Sequence, residues 1–455
     1  MKIMQVFLNR FSLIRSCSLC LQFAFVVAAF SPVGETATAQ ENVITSHERR
    51  NDVLEAHALT LPAPIQRWDN ALPLGNGLIG GLLWGEGREL RLSLDRGDLW
   101  DERGNHDVYD PRRNFQTLLL AVEKRDRETW ERYFDATYNK SKWTKIPGGR
   151  LVITLPEGIS TETFHLDFRE ALATVELTRG EKASAFFSAT DRIALLRVPY
   201  GSRFAFVRPE SIDKLGYPPP QIVSSDQSIS YTQKTAEDLV FNFTVKWQKA
   251  GDELLVAIAT ATNTETRNPE LKSVLDATRA LVQGWTRLRD SNTSWWKNFY
   301  NASAVTIPLP RLQHHYNLVK YLYGSASRSY ANPMPLQGIW TADEGGLPPW
   351  KGDYHNDLNT QMTYVAWQAA GLVDSGMSYL NYYVDRMPQF REYGRSFFGL
   401  DGAMIPGVMT LRGQAMGGWP QYAMGLTAGL WNGHAFYQYW KTYQDDDFLG
   451  GNPNL

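Results

Sequence analysis

The change of hydrophobic periodicity near residue 268 constrains the fold of this 455-residue chain more than any other feature of its sequence. Before this point, short apolar runs are separated by turns rich in Gly, Pro, Asn and Asp, which is typical of antiparallel β-sheets. The runs are GLIGGLLW, ELRLSL, GRLVITL, TVELTR, IALLRVPY, DLVFNFTVKW and ELLVAIATAT. The sequence from about Asn42 to Asn268 therefore predicts a β-sandwich.

From Pro269 onward the apolar residues follow helical spacing. The segment ELKSVLDATRALVQGWTRLRD begins with an amphipathic stripe at Leu271, Val274, Leu275 and Thr278, which predicts a linker helix. A short strand-like segment, ASAVTIPL, comes next. The helical stretches after it are HHYNLVKYLYGSASRSY, LNTQMTYVAWQAAG, GMSYLNYYVDRMPQFREYGRSFF and LTAGLWNGHAFYQYWKTY.

The charge balance indicates what the chain can bind. It has 46 Lys and Arg residues against 48 Asp and Glu residues, so we expect neither a nucleic-acid partner nor capture by an anionic membrane surface. Its 15 Trp and 21 Tyr favour a sugar ligand, because aromatic faces stack on sugar rings, although large cores also use these residues. An oligosaccharide or polysaccharide substrate is therefore the expected partner, and the oligomeric state stays open.

The N-terminus has the order of an export signal. Basic residues precede an apolar run from Leu19 to Phe30 that is too short to span a bilayer, and Ala37-Thr38-Ala39 is a small-x-small cleavage site. A mature chain would begin near Gln40 and would lack Cys17 and Cys20, the two cysteines. Export without disulfides favours a bacterial periplasm or the cell exterior. The alternative is that the run is retained as a membrane anchor.

A loop and the helix predicted after it, Pro335 to Tyr364, combine aromatic, acidic and carboxamide side chains in one short segment. Such a mixture suits a sugar ring, since aromatic faces pack on its C–H patches and short polar groups pair with its hydroxyls. The groups are Gln337, Trp340, Asp343, Glu344, Trp350, Asp353, His355, Asn356, Asp357, Asn359 and Gln361. The alternative is a tight loop whose helix is capped by Asn356 or Asp357.

Other motifs give no sign of a metal or cofactor. The sequence has no GxGxxG after a strand, no P-loop and no HExxH. Adjacent His314 and His315 cannot face one metal from the same side of a helix. The run Asp445 to Asp447 lacks the spaced oxygen ligands of an EF-hand. We therefore expect no cofactor and no bound metal.

Several motifs, in order along the chain, resemble glycoside hydrolase family 95, whose known members are chiefly 1,2-α-L-fucosidases. They are ALPLGNGLIGGLLWG, ELRLSLDRGDLW, LQGIW, PPW and HNDLNTQMTY. The resemblance runs from about Leu61 to Leu449. It implies a multidomain β and α fold with an N-terminal β-sandwich (a supersandwich), a helical linker and an (α/α)6 barrel.

The resemblance also implies an inverting mechanism, in which a Glu acts as general acid and an Asp, assisted by two asparagines, activates water. Inversion places the acid and the water on opposite faces of the sugar. Asn359 occupies the second asparagine position and Asp357 the first. Asp357 departs from the family pattern, since an ionised carboxylate accepts hydrogen bonds but cannot donate one, and the substrate preference could differ accordingly. The expected substrate-binding residues are His355, Trp350, Trp340, Trp419 and Gln361.

The family's general acid and base lie beyond the part of the pattern that this sequence matches. Residues 311–455 have room for only about four helices of ordinary length, fewer than an (α/α)6 barrel contains. The expectation is a chain truncated within its catalytic barrel, inactive as it stands, with Trp367, Phe390, Trp431 and Phe436 exposed. In the alternative, these helices pack as a compact cap on the sandwich. Asp343 and Glu344 rank below the distal acid because no matching motif surrounds them.

The predicted organisation is a signal peptide (residues 1–39), an N-terminal β-sandwich domain (40–268), a helical linker (269–310) and an incomplete catalytic barrel (311–455). The predicted function is an exported glycoside hydrolase that removes terminal α-linked L-fucose or a related sugar. Two alternatives remain open: a carbohydrate-binding protein without catalysis, and a disaccharide phosphorylase on the same architecture.

Overall fold

The computed structural model describes residues 56–418 and 424–450. The predicted signal peptide, its cleavage site and the proposed sugar platform Trp419 lie outside these residues. None of the helices in the described ranges is long and apolar enough to cross a membrane.

The first half of the described chain forms two antiparallel sheets. The larger sheet has nine strands in the order β1-β8-β9-β10-β11-β16-β15-β14-β13, and the smaller has five in the order β12-β7-β4-β3-β2. The strands of these sheets and of two short ribbons are β1 (Ala58–Pro62), β2 (Leu72–Gly75), β3 (Ile79–Glu86), β4 (Glu89–Arg96), β5 (Trp100–Asp101), β6 (Thr144–Lys145), β7 (Gly149–Thr154), β8 (Thr161–Asp167), β9 (Leu172–Leu177), β10 (Lys182–Phe187), β11 (Ile193–Pro199), β12 (Arg203–Val207), β13 (Gln221–Ser225), β14 (Ser228–Lys234), β15 (Val240–Ala250), β16 (Glu253–Thr262), β17 (Tyr354–His355) and β18 (Val408–Met409).

The two sheets enclose one apolar core. Leu92 and Leu151 of the smaller sheet and Phe164, Leu196 and Phe241 of the larger one belong to the same buried cluster. Strand β7 shows why the sequence folds this way, since its residues alternate between buried and partly buried positions as one-sided burial requires. The predicted β-sandwich is confirmed.

The helices lie mostly in the second half of the chain. They are α1 (Phe115–Lys124), α2 (Arg127–Trp130), α3 (Ala136–Lys140), α4 (Glu210–Asp213), α5 (Pro269–Asn301), α6 (Pro310–Ala326), α7 (Asn359–Thr363), α8 (Val373–Asp385), α9 (Met387–Tyr393), α10 (Ala428–Tyr443) and α11 (Asp446–Gly450). Helices α1 to α3 form an insertion between β5 and β6, the strands of one short ribbon. This sandwich followed by helices of a barrel confirms the predicted fold class.

Helix α5 packs on the larger sheet through a different face from the predicted one. Leu271 and Leu275 are about half exposed, whereas Ser273, Ala277 and Ala280 are buried. Small side chains let the helix backbone approach the sheet closely, and the hydroxyl of Ser273 reaches Asn242 of β15 at 2.5 Å. The predicted stripe was therefore wrong. The face of α5 that contacts the sheet carries small side chains, and apolar spacing alone does not reveal this.

Two other local predictions were also wrong. The segment ASAVTIPL forms no strand in the structure. The helix predicted over LNTQMTYVAWQAAG is only the five-residue α7, and the chain continues as turns, such as those closed by Tyr364 N–H to Gln361 and Gly371 N–H to Gln368. Trp367 is buried there against Gly376, where a Cβ atom would lie 2.0 Å from the indole. This tertiary contact overrides the helical pattern.

Candidate functional site

The loop before β17 turns sharply through three consecutive residues with positive φ. They are Trp350 (φ 53°), Lys351 (φ 58°) and Gly352 (φ 62°). The first two are not glycines, so this conformation costs on the order of 1–3 kcal/mol each. The turn leaves the Trp350 indole 54% exposed, as a side chain that contacts a ligand should be.

The turn is followed by a hydrogen-bonded pair of Asp353 and His355. Side chains two residues apart lie on the same face of an extended chain, and Nδ1 of His355 lies 2.5 Å from Oδ1 of Asp353. The other carboxylate oxygen accepts a 3.1 Å hydrogen bond from the hydroxyl of Tyr138 in α3. Asp353 therefore fixes the orientation of the imidazole, and the Trp350 ring lies edge-on to it at 5.5 Å.

Burial and neighbouring charges shift the pKa of each member of this pair in opposite directions. Burial raises the pKa of the Asp353 carboxyl, and His355 and Tyr138 lower it by less, so the net shift is upward. Burial lowers the pKa of His355, but the hydrogen bond to Asp353 and the charges of Asp353 and Asp357 outweigh it and raise the pKa. The site thus favours a protonated imidazole, which can donate to a ligand oxygen through Nε2.

The residue after His355 is part of the scaffold. The carboxamide of Asn356 is buried, donates to the carbonyl of Pro406 at 2.8 Å and accepts from the hydroxyl of Tyr383 at 2.5 Å. Helix α7 has Leu358 at its N-cap position with no side-chain capping bond. The alternative that Asn356 or Asp357 caps this helix is therefore wrong, because the side chain of Asn356 is already used by α8 and by the loop before β18.

The two predicted water-binding residues lie at the surface, at the start of α7. Asp357 and Asn359 are both exposed, and Asn359 lines a recess of about 350 Å³ with Leu336, Leu358 and Thr363. This volume lies within the range of small-ligand pockets. The structure therefore leaves Asp357 and Asn359, which follow His355 closely in the sequence, exposed to a ligand.

Three other predicted substrate-binding residues lie elsewhere or outside the described residues. Gln361 is buried and donates to the carbonyl of Asn356 at 2.6 Å. Trp340 packs between the sandwich core and the helical core, and its indole N–H donates to the carbonyl of Leu74 at 2.8 Å. Trp419 lies outside the described ranges. A sugar contact by these residues stays a prediction.

The acids before the turn belong to the sandwich. Asp343 is buried and accepts from Ser93 at 2.5 Å and from Arg150 at 2.7 Å, and Glu344 pairs with the same guanidinium at 2.9 Å. These contacts use the two carboxylates to hold the loop on β4 and β7. They support the lower rank of Asp343 and Glu344 as candidates for the general acid.

Sequence reasoning named Asp353 among the polar groups of the loop but missed its role as the partner of His355, and it missed Tyr138 altogether. Asp353 had a usable signal, since the D-x-H spacing in an extended segment places both side chains on one face. Tyr138 had none, because 215 residues separate it from its partner Asp353. Within the described ranges, no group of three or more His, Cys, Asp or Glu side chains is placed to hold a metal ion.

Comparison with known proteins shows which families this chain resembles. Residues 286–452 match the glycosyl hydrolase family 95 catalytic domain, and residues 59–203 match the N-terminal domain of glycosyl hydrolase family 65. A probable alpha-fucosidase A of Aspergillus niger is 24% identical over 343 residues, which are 62% of this chain and 43% of that protein. A probable alpha-fucosidase A of Aspergillus oryzae is 30% identical over 95 residues, 21% of this chain and 13% of that protein.

Among solved structures, a putative kojibiose phosphorylase from the human microbiome matches with a TM-score of 0.60 at 11% identity, covering 88% of this chain and 56% of that one. At this identity the match shows the fold alone. The chain spans less than half the length of the Aspergillus niger relative. The resemblance drawn from the sequence is confirmed: the chain joins a region similar to the N-terminal domain of family 65 to a region similar to the catalytic domain of glycoside hydrolase family 95.

Proposed function

We propose that this chain is the N-terminal domain and part of the catalytic domain of an exported glycosidase that removes terminal α-linked L-fucose or a related 6-deoxy- or L-hexose. The observation that carries the proposal is the exposed pair Asp357 and Asn359 shortly after the oriented His355, within the segment that matches the family 95 catalytic domain. The names of the two Aspergillus relatives support the fucosidase activity.

Each residue has a distinct role in this proposal. Asn359 and Asp357 hold the water that attacks the anomeric carbon, and His355 donates to a sugar hydroxyl. Trp350 offers an exposed aromatic face for the C–H side of the ring. Inverting hydrolysis also needs a general acid across the sugar and a base for the water, about 6.5–9.5 Å apart. Asp343 and Glu344 do not fill these roles, because Arg150 pairs with both.

Ligand binding tests the proposal on the chain as it exists. Isothermal titration should detect L-fucose in preference to D-glucose, and Asn359→Ala should weaken fucose binding about 5- to 10-fold, the effect of one lost hydrogen bond. Asn298→Ala, at an exposed position of α5, is the matched control and should bind normally. Equal affinity of the wild type and Asn359→Ala for L-fucose would remove Asn359 from the site.

A second experiment tests the departure of Asp357 from the family pattern, which has asparagine at this position. Asp357→Asn restores the family residue and adds two N–H donors, so the preference between L-fucose and L-galactose should change. If Asp357→Asn leaves both affinities as they are in the wild type, Asp357 is not part of the sugar site. In a longer protein that includes the general acid and base, assaying aryl α-L-fucoside cleavage with and without inorganic phosphate separates hydrolysis from phosphorolysis.

A further inference from the structure

The insertion between β5 and β6 forms a groove that the proposed site does not use. Helices α1, α2 and α3, with the π-helical turn Glu131–Asp135 between the last two, enclose about 790 Å³ beside Gly418. The volume falls within the range of small-ligand sites. It is more than twice that of the recess at α7, which leaves room for more than one sugar ring.

The walls of this groove have the composition of a saccharide site. Ala121, Ala136 and the ring of Trp130 are among the apolar residues that line it. Side chains with several donors or acceptors stand at its rim, where they are exposed: Arg125, Arg127, Glu131, Asn139 and Lys140. An aromatic ring among polar groups of both signs suits a neutral polyhydroxylated ligand better than a strongly charged one.

Two local features point to a ligand here. The indole N–H of Trp130 is buried and has no hydrogen-bond acceptor among the described residues. An unsatisfied buried donor costs about 1–3 kcal/mol. A ligand in the groove would reach this N–H only after a rotation of the Trp130 ring, and the hydrogen bond gained would favour that rotation. Arg125 adopts φ 54° at the C-cap of α1, where glycine is the usual residue, so its side chain is held at the rim at a cost in backbone strain.

The groove is linked to the candidate site through one side chain. Tyr138 lines the groove and donates its hydroxyl to Oδ2 of Asp353 at 3.1 Å. The ammonium group of Lys351 lies 5.0 Å from the centre of the same ring. Gly418 allows the approach of the barrel segment, because a Cβ atom there would lie 2.9 Å from Cβ of Tyr138. A ligand in the groove would therefore lie next to the residue that holds the Asp353–His355 pair.

We propose that this groove binds the neutral sugar units on the leaving-group side of the scissile bond, so that the insertion of the N-terminal domain selects the glycan from which the terminal sugar is removed. This inference rests on the proposed function. It assigns glycan selectivity to the sandwich domain and recognition of the terminal sugar to the segment from Trp350 to Asn359.

The test measures binding of two ligand classes to the intact chain by isothermal titration. The first class is the unfucosylated disaccharides lactose, cellobiose and xylobiose, and the second is L-fucose. Trp130→Phe keeps a ring but removes the N–H, and Trp130→Ala removes both. At least one disaccharide should bind, about 3- to 10-fold more weakly to Trp130→Phe, as expected for one lost hydrogen bond, and still more weakly to Trp130→Ala. L-Fucose binding should be unchanged.

Trp431→Phe, at an exposed position of α10, is the matched control and should bind both ligand classes as the wild type does. Circular dichroism and melting temperature show whether each variant is folded. The groove assignment is overturned if no disaccharide binds, or if a folded Trp130→Ala binds it normally. If a disaccharide binds through Trp130 but L-fucose does not bind at all, the groove is a saccharide site and the proposed function is wrong.

Discussion

At the scale of single residues, buried carboxyl groups of this chain have different roles because their partners differ. Asp343 pairs with Arg150, whereas Asp353 orients His355. Glu102 is a third case, since its carboxyl group is buried beside Thr410 and Arg412. Burial raises the pKa of Glu102 to about 7, and the neighbouring Thr410 and Arg412 limit this rise.

Asp353→Asn should lower the pKa of His355, because the substitution removes the charge and the hydrogen bond that raise it. Asp357→Asn is the matched control and should lower it less, since Asp357 makes the smallest contribution to the shift. NMR titration of the His355 ring carbons measures both. A pKa of His355 that is equal in wild type and Asp353→Asn would contradict the orienting role of Asp353.

Glu102 should make the folded chain less stable as the pH rises. Because its pKa is about 7 in the folded state and 4.5 as the reference value, the unfolded chain loses this proton at lower pH than the folded one. The contribution is fully present below about pH 4.5 and is lost as the pH rises through about 7.

Glu102→Gln removes this dependence. Relative to wild type, the variant should gain about 1–3 kcal/mol in unfolding free energy between pH 5 and pH 8, measured by urea denaturation. Exposed Glu157→Gln should show no such gain. A pH-independent difference between wild type and Glu102→Gln would mean that Glu102 ionises normally in the fold.

At the scale of elements, packing partners decide which face a helix buries. Helix α5 presents Ser273, Ala277 and Ala280 to the larger sheet and leaves Leu275 about half exposed. Its path changes at Gly284, where φ 78° and ψ 167° interrupt the helical backbone. The residues before Gly284 pack on the sheet, and those after it continue to Trp296, which lies in the sandwich core.

Ala277→Leu should destabilise the chain by about 1–3 kcal/mol, because overpacking a full interface forces side chains and backbone to shift. Thermal or urea denaturation measures the effect. Leu275→Ala is the matched control on the exposed face of α5 and should change stability by less than about 0.5 kcal/mol. A larger loss for Leu275→Ala than for Ala277→Leu would restore the stripe predicted from the sequence.

At the scale of the whole molecule, the helical part is more compact than the sequence indicated. Trp367 and Phe390 were expected to be exposed but are buried in a core shared by α8, α9 and α10. Trp431 is 38% exposed, as predicted. The described helices thus bury part of their aromatic side chains against one another and against β17.

Export remains a prediction at this scale. The order of basic residues, apolar run and small residues should direct cleavage after Ala39, so the secreted product should begin near Gln40. Mass spectrometry of its N-terminal peptide measures this. A secreted chain that still contains Cys17 would show that the leader is retained.

The sequence by itself determined the features that depend on neighbouring residues. The run ELLVAIATAT forms β16 over the whole predicted length, Glu253–Thr262, because strand alternation is a local property. The polar groups around His355 were also visible in the sequence, because they lie in one short segment. Only the tertiary structure shows that Tyr138 contacts Asp353, 215 residues away in the sequence. It also decides that α5 buries its small side chains and that α7 has only five residues. These features depend on contacts between distant segments, which local periodicity does not encode.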